Sequence, residues 1–449
     1  MSGSPVRDLL ASAPPPLARR IDATITIGLL AALVFTALAF GGVEPWARAL
    51  FELLVTGLTA LWVLRTIVAG RIKLQVPAVA LPLALLMVWA AVQGIPRQGP
   101  SGNFASISMD AEASRNTAVV LLFLLLYTLL CTTFFAATER IQAAVKFLII
   151  YGAVLALFAL IQGLTWNGAF YWVRPTQVHG FGPFANRDHF AGYMEMLAPL
   201  PVALLIAGVV PRDLRPLTAF AAVIMGTSIV ASLSRGGILS FIIGVAFVLA
   251  ASETRSDMRG RRGLKILAAA AILAGVVAGT LWIGAAPIIN RAAESLNQSA
   301  GSQPDYYSRK WLWRDTWALI QKHPLTGTGA GAFETAFPAY SHGAGQYIVQ
   351  QSHNDYLQLA ADCGVTGAVF GAGFLVLLYR AYKRALNSGN RSLSAITLGC
   401  GGGIFALLTH SLFDFNLQIL SNALLFLFLV AIIYAIGKVG AGSAEVRLQ

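Results

Sequence analysis

Charge is scarce in this sequence. Only 12% of its 449 residues are Asp, Glu, Lys or Arg, whereas 57% are hydrophobic. Long apolar runs recur along nearly the whole chain, which is the pattern of a polytopic α-helical membrane protein. The bilayer offers a spanning backbone no hydrogen-bond partner except itself. The runs are continuous rather than alternating, which argues against a transmembrane β-barrel. Cysteine is rare as well. Cys131, Cys363 and Cys400 all lie in apolar stretches, where small packing residues are expected rather than a disulfide or a metal site.

Several chemical signatures are missing too. No two histidines stand three or four apart, and no Cys/His cluster occurs, so no metal ligand set is read and no cofactor is expected. There is no Asp-x-Asp pair of the kind that holds a divalent cation against a nucleotide sugar. A Gly-x-Ser-x-Gly nucleophile elbow is absent. The net charge of +12 does not point to nucleic acid, because the basic residues are spread over short connections between apolar runs.

Windows of about 20 apolar residues predict about twelve transmembrane helices. They lie near 21–41, 47–69, 76–94, 117–137, 141–164, 189–209, 215–232, 236–252, 264–286, 356–379, 393–411 and 419–437. The expected order is a cytoplasmic tail over 1–20, nine spans over 21–286, a large outer loop over 287–355, three spans over 356–437 and a second tail over 438–449. Ala37-Leu38-Ala39 resembles a signal-peptidase site, yet an uncleaved first span suits the charge pattern better. Alternate connections hold 21 of the 32 basic residues, from Arg7 to Arg447. The positive-inside rule makes that side cytoplasmic, termini included. The other side carries the long loops and eleven basic residues, among them Arg187, Arg235, Arg309 and Arg314.

Four outer stretches carry candidate chemistry. In HGFGPFANRDHFAGYMEM (179–196), Arg187 and His189 line a helix entrance, and Glu195 lies two turns further in. An ionisable group at membrane depth costs roughly 2.5–3.5 kcal/mol or more unless paired. A functional entrance and a structural ion pair both fit. In ASLSRGGILSF (231–241), Arg235 sits in a tight turn, where a lone arginine would snorkel to the interface. The stretch YYSRKWLWRDTWALIQKHP (306–324) reads as an amphipathic helix capped by Ser308, with Arg309, Trp313, Thr316 and Ile320 on one face. It suits a membrane-surface helix, or a lid aiming Arg309 or Arg314 at a phosphate. The following LTGTGAGAF is a flexible turn whose bare amides are able to approach an anion.

The fourth stretch is QSHNDYLQLAADCGVTG (351–367). His353 stands at the outer end of a span, with Asn354 and Asp355 placed to orient its ring. An imidazole, titrating near pH 6.5 in general, accepts a hydroxyl proton at physiological pH. Arginines supply planar, permanent charge that matches phosphate oxygens.

These stretches resemble the bacterial O-antigen ligase and polymerase superfamily. GPFANRDHFAGY (182–193) resembles its Asn-containing entry motif, SLSRGG (232–237) its Ser-Arg-Gly turn, and 308–333 its Arg-Trp helix and Gly-rich turn. HNDYLQLAADCGVTG matches most closely, with His353-Asn354, nine residues, Gly364, two residues and Gly367. The resemblance implies a metal-independent, inverting glycosyltransferase of GT-C-like helical architecture. Such enzymes move a glycan from undecaprenyl diphosphate to an acceptor at the periplasmic face, in lipopolysaccharide biosynthesis. Carried over by position, Arg187, Arg235 and Arg309 bind the diphosphate, with Arg314 a weaker addition. His353 is the base, and Asn354 and His189 support it. The histidine motif favours a ligase with a lipid A–core acceptor over a polymerase. The short tail after the last span speaks against a protein hydroxyl acceptor. A secondary transporter of an anionic lipid or solute is the reading from another class, though no paired halves are visible. Membrane lipids are the remaining expected partner.

Overall fold

The structure is a computed structural model that describes residues 15–98, 104–177, 180–253, 262–283, 308–343 and 348–445. A helix stands at each of the twelve apolar stretches. They are α1 (Pro16–Leu38), α2 (Pro45–Ala69), α3 (Ala80–Gln93), α4 (Ala111–Phe134), α5 (Thr138–Leu164), a broken pair α6 (Arg187–Leu197) and α7 (Pro199–Ile206), α8 (Arg215–Ala231), α9 (Arg235–Glu253) and α10 (Arg262–Ile283). After the helix α11 (Arg309–Lys322) follow α12 (Asp355–Leu386), α13 (Arg391–His410) and α14 (Leu420–Glu445).

Among the described residues, ten helices are long and apolar enough to cross a membrane, counting α6 and α7 as one. The apolar parts of α3 and α10 are shorter. The protein is therefore an all-α polytopic membrane protein. Its described strands are two antiparallel pairs of two residues each, Arg97–Gln98 with Phe104–Ala105 and Ala169–Phe170 with Arg174–Pro175. The basic residues Arg7, Arg255, Arg259, Arg261, Arg291 and Arg447, and much of the expected loop over 287–355, lie outside the described residues.

Local chemistry sets the helix ends. Proline stands in the first turn of α1, α2, α7 and α8, where its missing N–H costs nothing. Asp110, Asn186, Asn354 and Asn390 accept backbone N–H bonds at the starts of α4, α6, α12 and α13. The single span expected over 189–209 is broken at Ala198, because Pro199 has no N–H for the helical ladder.

The centre of the bundle is α6–α7, α13 and α14, the most buried of the candidate spans. Helices in lipid gain little from apolar burial and associate through close packing of small residues. The run Gly399-Cys400-Gly401-Gly402-Gly403 provides this on α13. A side chain on Gly403 would fall on the backbone of Met196, and one on Gly402 would meet Val248 and the Gly244 carbonyl. So α13 packs against α6, α7 and α9 at once. Near the other end of the bundle, Arg65 of α2 donates to Asp22 of α1 at 3.0 Å, with 2% and 6% of the side chains exposed.

The Gly-rich turn is a structural interlock, which corrects its reading as a set of bare amides. The amide of Gly327 donates to His323 O, Thr328 to Ala361 O and Gly329 to Asp362 O. The amide of Ala330 donates to Gln93 Oε1, and that of Gly331 to Asp362 Oδ2. Every amide from Gly327 to Gly331 is therefore engaged. The acceptor carbonyls come from a break in α12 at Gly364, where φ is 61° and ψ is −154°. Only glycine holds that conformation without strain. A Cβ there would also lie 2.5 Å from the Leu325 carbonyl.

Candidate active site

His353 precedes α12 in a left-handed backbone conformation, with φ 51°. A non-glycine residue there is strained, and the surroundings must hold it. They do so from both sides. The amide of Ser352 donates to Gln358 Oε1 at 2.7 Å, and Ser352 Oγ donates to Asn354 O at 2.9 Å. Asn354 Oδ1 accepts the amides of Tyr356 and Leu357 at 3.0 Å each, so Asn354 caps α12. Its Nδ2 donates to Leu412 O. Asp355 Oδ2 accepts from Ser411 Oγ at 2.7 Å and from the Leu417 amide at 3.1 Å. Asn354 and Asp355 thus staple the start of α12 to the loop after α13. Neither orients the ring of His353, contrary to expectation.

The ring is oriented by Asp414, in the 411–419 connection between α13 and α14. His353 Nδ1 lies 3.0 Å from Asp414 Oδ1, with 39% of the histidine side chain exposed and none of the aspartate. Burial pushes the Asp414 carboxyl up. The hydrogen bond from His353 and the fields of His189, His410 and His353 outweigh it, and the group titrates at about 2. An ionised carboxylate only accepts, so Nδ1–H must donate. The neutral ring then carries its lone pair on Nε2, the atom available to take a proton.

His189, on the first turn of α6, faces the other oxygen. Its Nε2 is 3.8 Å from Asp414 Oδ2 and 3.5 Å from Asn186 Nδ2. The ring of Phe415 stands between the two histidines, edge-on to both at 4.7 and 4.8 Å. Asn422 Nδ2 donates to His189 O at 3.0 Å and to Asn416 Oδ1 at 2.9 Å. Glu195 is fully buried and meets His410, which lies 3.1 Å from both carboxylate oxygens. The ion-pair alternative for Glu195 therefore describes its contact.

The arginines divide into two groups. Arg187 and Arg235 each begin a helix, α6 and α9, at the same end of the bundle as His353. Arg187 is half-buried and Arg235 is exposed. The turn before Arg235 is strained at Leu233, φ 60°, and Gly237 packs on Ala191 of α6. Arg309 and Arg314 lie exposed on α11, which packs against α12. The buried face of α11 is Leu312, Asp315, Thr316 and Leu319. That face is turned from the expected one, so that Trp313 and Ile320 are partly covered and Arg309 is outside it. Arg314 lies over the ring of Trp311 at 4.8 Å. No contact joins Arg309 or Arg314 to His353 among the described residues.

Asp414 and His410 escaped the sequence reading. They sit in THSLFDFN (409–416), a short connection between two apolar runs. The signal was a carboxylate and an imidazole four residues apart in otherwise uncharged sequence.

Residues 220–372 match the family described as O-antigen ligase. That stretch runs from α8 through α9, α10 and α11 into α12 and includes Arg235, Arg309, Arg314 and His353. No curated protein matches the chain.

Proposed function

From the match of residues 220–372 to the O-antigen ligase family, we propose that the chain belongs to the O-antigen ligase and polymerase superfamily and is itself an O-antigen ligase. It transfers a glycan from undecaprenyl diphosphate to lipid A–core at the periplasmic face of the bacterial inner membrane. The observation that carries this reading is the His353–Asp414 pair at the half-exposed end of a helix bundle. Such a pair suits removal of a proton from a sugar hydroxyl.

The acceptor hydroxyl gives its proton to His353 Nε2. Its oxygen attacks the anomeric carbon as the bond from that carbon to the diphosphate oxygen breaks, inverting the configuration. Undecaprenyl diphosphate leaves with the electron pair. Arg187 and Arg235 supply fixed positive charge for it from two helix starts, where the helix dipoles add to the field. Arg309 and Arg314 on α11 are assigned to the same lipid-linked diphosphate as it arrives. Ionised Asp414 keeps His353 in the tautomer that accepts and stabilises the imidazolium that forms. The mechanism requires no divalent cation, since arginines take the role of counter-charge.

Purified protein with lipid-linked donor, lipid A–core and a chelator is the test. We expect transfer under chelation, and a loss of roughly 10²–10⁴-fold in His353→Ala, the usual worth of a general base. Full activity in His353→Ala, or loss on chelation, would overturn the mechanism. A ladder made from donor alone indicates a polymerase, and flux in proteoliposomes without glycan transfer indicates a transporter.

A further inference from the structure

His410 has a second polar atom that the mechanism above does not use. Its Nδ1 faces both oxygens of Glu195 at 3.1 Å, and the two side chains are 1% and 0% exposed. With Nδ1–H donating to the carboxylate, Nε2 is the atom left over. Among the described residues it has no hydrogen-bond partner. It is aimed at the first turn of α9. A Cβ built on Gly236 would lie 2.7 Å from Nε2 and 2.7 Å from Cδ2 of His410. The glycine therefore lets the imidazole edge reach the helix backbone directly beside Arg235.

That turn has the character of an anion cradle. The helix runs 19 residues from Arg235, so its first turn carries the positive end of a full dipole. The amides of Gly237 and Ile238 are taken by Ser234, and those of Arg235 and Gly236 stand at the head of the helix. Glu195 behind the ring is the counter-charge for an imidazolium, whose Nε2–H would face an anion at this turn. The same histidine also fixes the base. Its carbonyl accepts the amides of Phe413 and Asp414 at 2.8 and 3.0 Å. One residue therefore joins the α9 turn to the carboxylate that orients His353.

We propose that His410 Nε2, together with the first turn of α9 and Arg235, binds the diphosphate of the lipid-linked donor, with Glu195 as the charge partner of the ring. This rests on the ligase reading for the identity of the lipid, and not for the anion site itself. His410 is then a ligand-touching residue, and Glu195 a positioning residue acting through it.

The test is binding of inorganic pyrophosphate to the detergent-solubilised full chain, by calorimetry. Removing His410 alone strands a buried carboxylate and endangers folding, so the main variant is the neutral pair Glu195→Gln with His410→Gln. We expect it to stay folded and to bind pyrophosphate at least tenfold more weakly. Gly236→Ala, which places a methyl group against Nε2, is expected to weaken binding by a similar factor. Lys146→Gln, an exposed charge on α5, should bind as the wild type does. Unchanged affinity in both site variants overturns the proposal.

Undecaprenyl diphosphate should compete with pyrophosphate. Pyrophosphate binding that depends on His410 without such competition makes this a free-anion site and overturns the lipid assignment. The transfer assay separates the two ideas. Failed transfer with His410-dependent binding overturns only the ligase reading. Normal transfer with binding indifferent to His410 overturns only this inference.

Discussion

At the scale of single residues, the histidine is less unusual than its partner. His353 stands out in the sequence because its polar neighbours interrupt an apolar chain. Asp414 does not stand out, and it decides what His353 can do. Its oxygen accepts from Nδ1, so the free lone pair lies on Nε2. Asp414→Asn is close in shape but able to present an amide N–H to Nδ1, which selects the wrong tautomer. We expect a transfer rate lowered by roughly 10²–10⁴-fold with the thermal midpoint changed much less. The pH dependence follows from the depressed pKa. A carboxyl that titrates at about 2 in the folded protein gives stabilisation that is fully present above its ordinary value, about 3.9. That stabilisation is lost only as the pH falls through about 2. Between pH 5 and 8 the carboxylate is ionised throughout. Protonation of Asp414 therefore contributes nothing to the pH dependence of transfer over that range, and Asp414→Asn should lower the rate at its alkaline end as it does at its centre. A transfer rate for Asp414→Asn equal to that of the wild type at pH 8 would overturn the role assigned to Asp414.

At the scale of elements, two features of α12 carry different loads. Asn354 ends the loop and starts the helix by accepting two amides. Asn354→Ala should cost about 0.5–2 kcal/mol, the usual loss of an N-cap. Gly364 permits the break that gives up the Ala361 and Asp362 carbonyls to the Gly-rich turn. Gly364→Ala forces a side chain into a glycine-only region, at a cost of order 1–3 kcal/mol from the backbone alone. The clash with the Leu325 carbonyl adds to this. Thermal unfolding in detergent should thus rank Gly364→Ala as the worse of the two, and an equal or reversed ranking would refute the interlock. These elements also mark what was legible. Apolar run length located a helix at each of the twelve stretches, because the bilayer imposes it, but only ten of them, counting α6 and α7 as one, are long and apolar enough to span. The glycine spacing of 364 and 367 was visible as a pattern, but not as a helix break accepting hydrogen bonds from Thr328, Gly329 and Gly331. That pairing joins segments over 30 residues apart. The His353–Asp414 contact spans 61 residues and is invisible to any local reading for the same reason.

At the scale of the whole molecule, ionisable groups are kept at the two ends of an apolar bundle, and the ends have different work. His353, His189, Asp414, Arg187 and Arg235 gather at the end where α6, α9 and α12 begin and α13 finishes. The Asp22–Arg65 pair ties α1 to α2 towards the other end. Topology turns this segregation into a prediction about sides. Glu334 is exposed between α11 and α12, and Asn387 is exposed between α12 and α13. One span separates them, so they must face opposite compartments. The native thiols Cys131, Cys363 and Cys400 are all buried and should give little background with a membrane-impermeant maleimide. By the positive-inside rule, the charge at Arg380, Lys383, Arg384 and Arg391 predicts a cytoplasmic Asn387 side. In intact cells whose outer membrane has been opened, Glu334→Cys should label and Asn387→Cys should not. Asn387→Cys should label only once the inner membrane is lysed. Labelling of both from outside would break the alternation on which α12 depends as a span. The reverse order would place His353 in the cytoplasm and overturn the proposed transfer to a periplasmic acceptor.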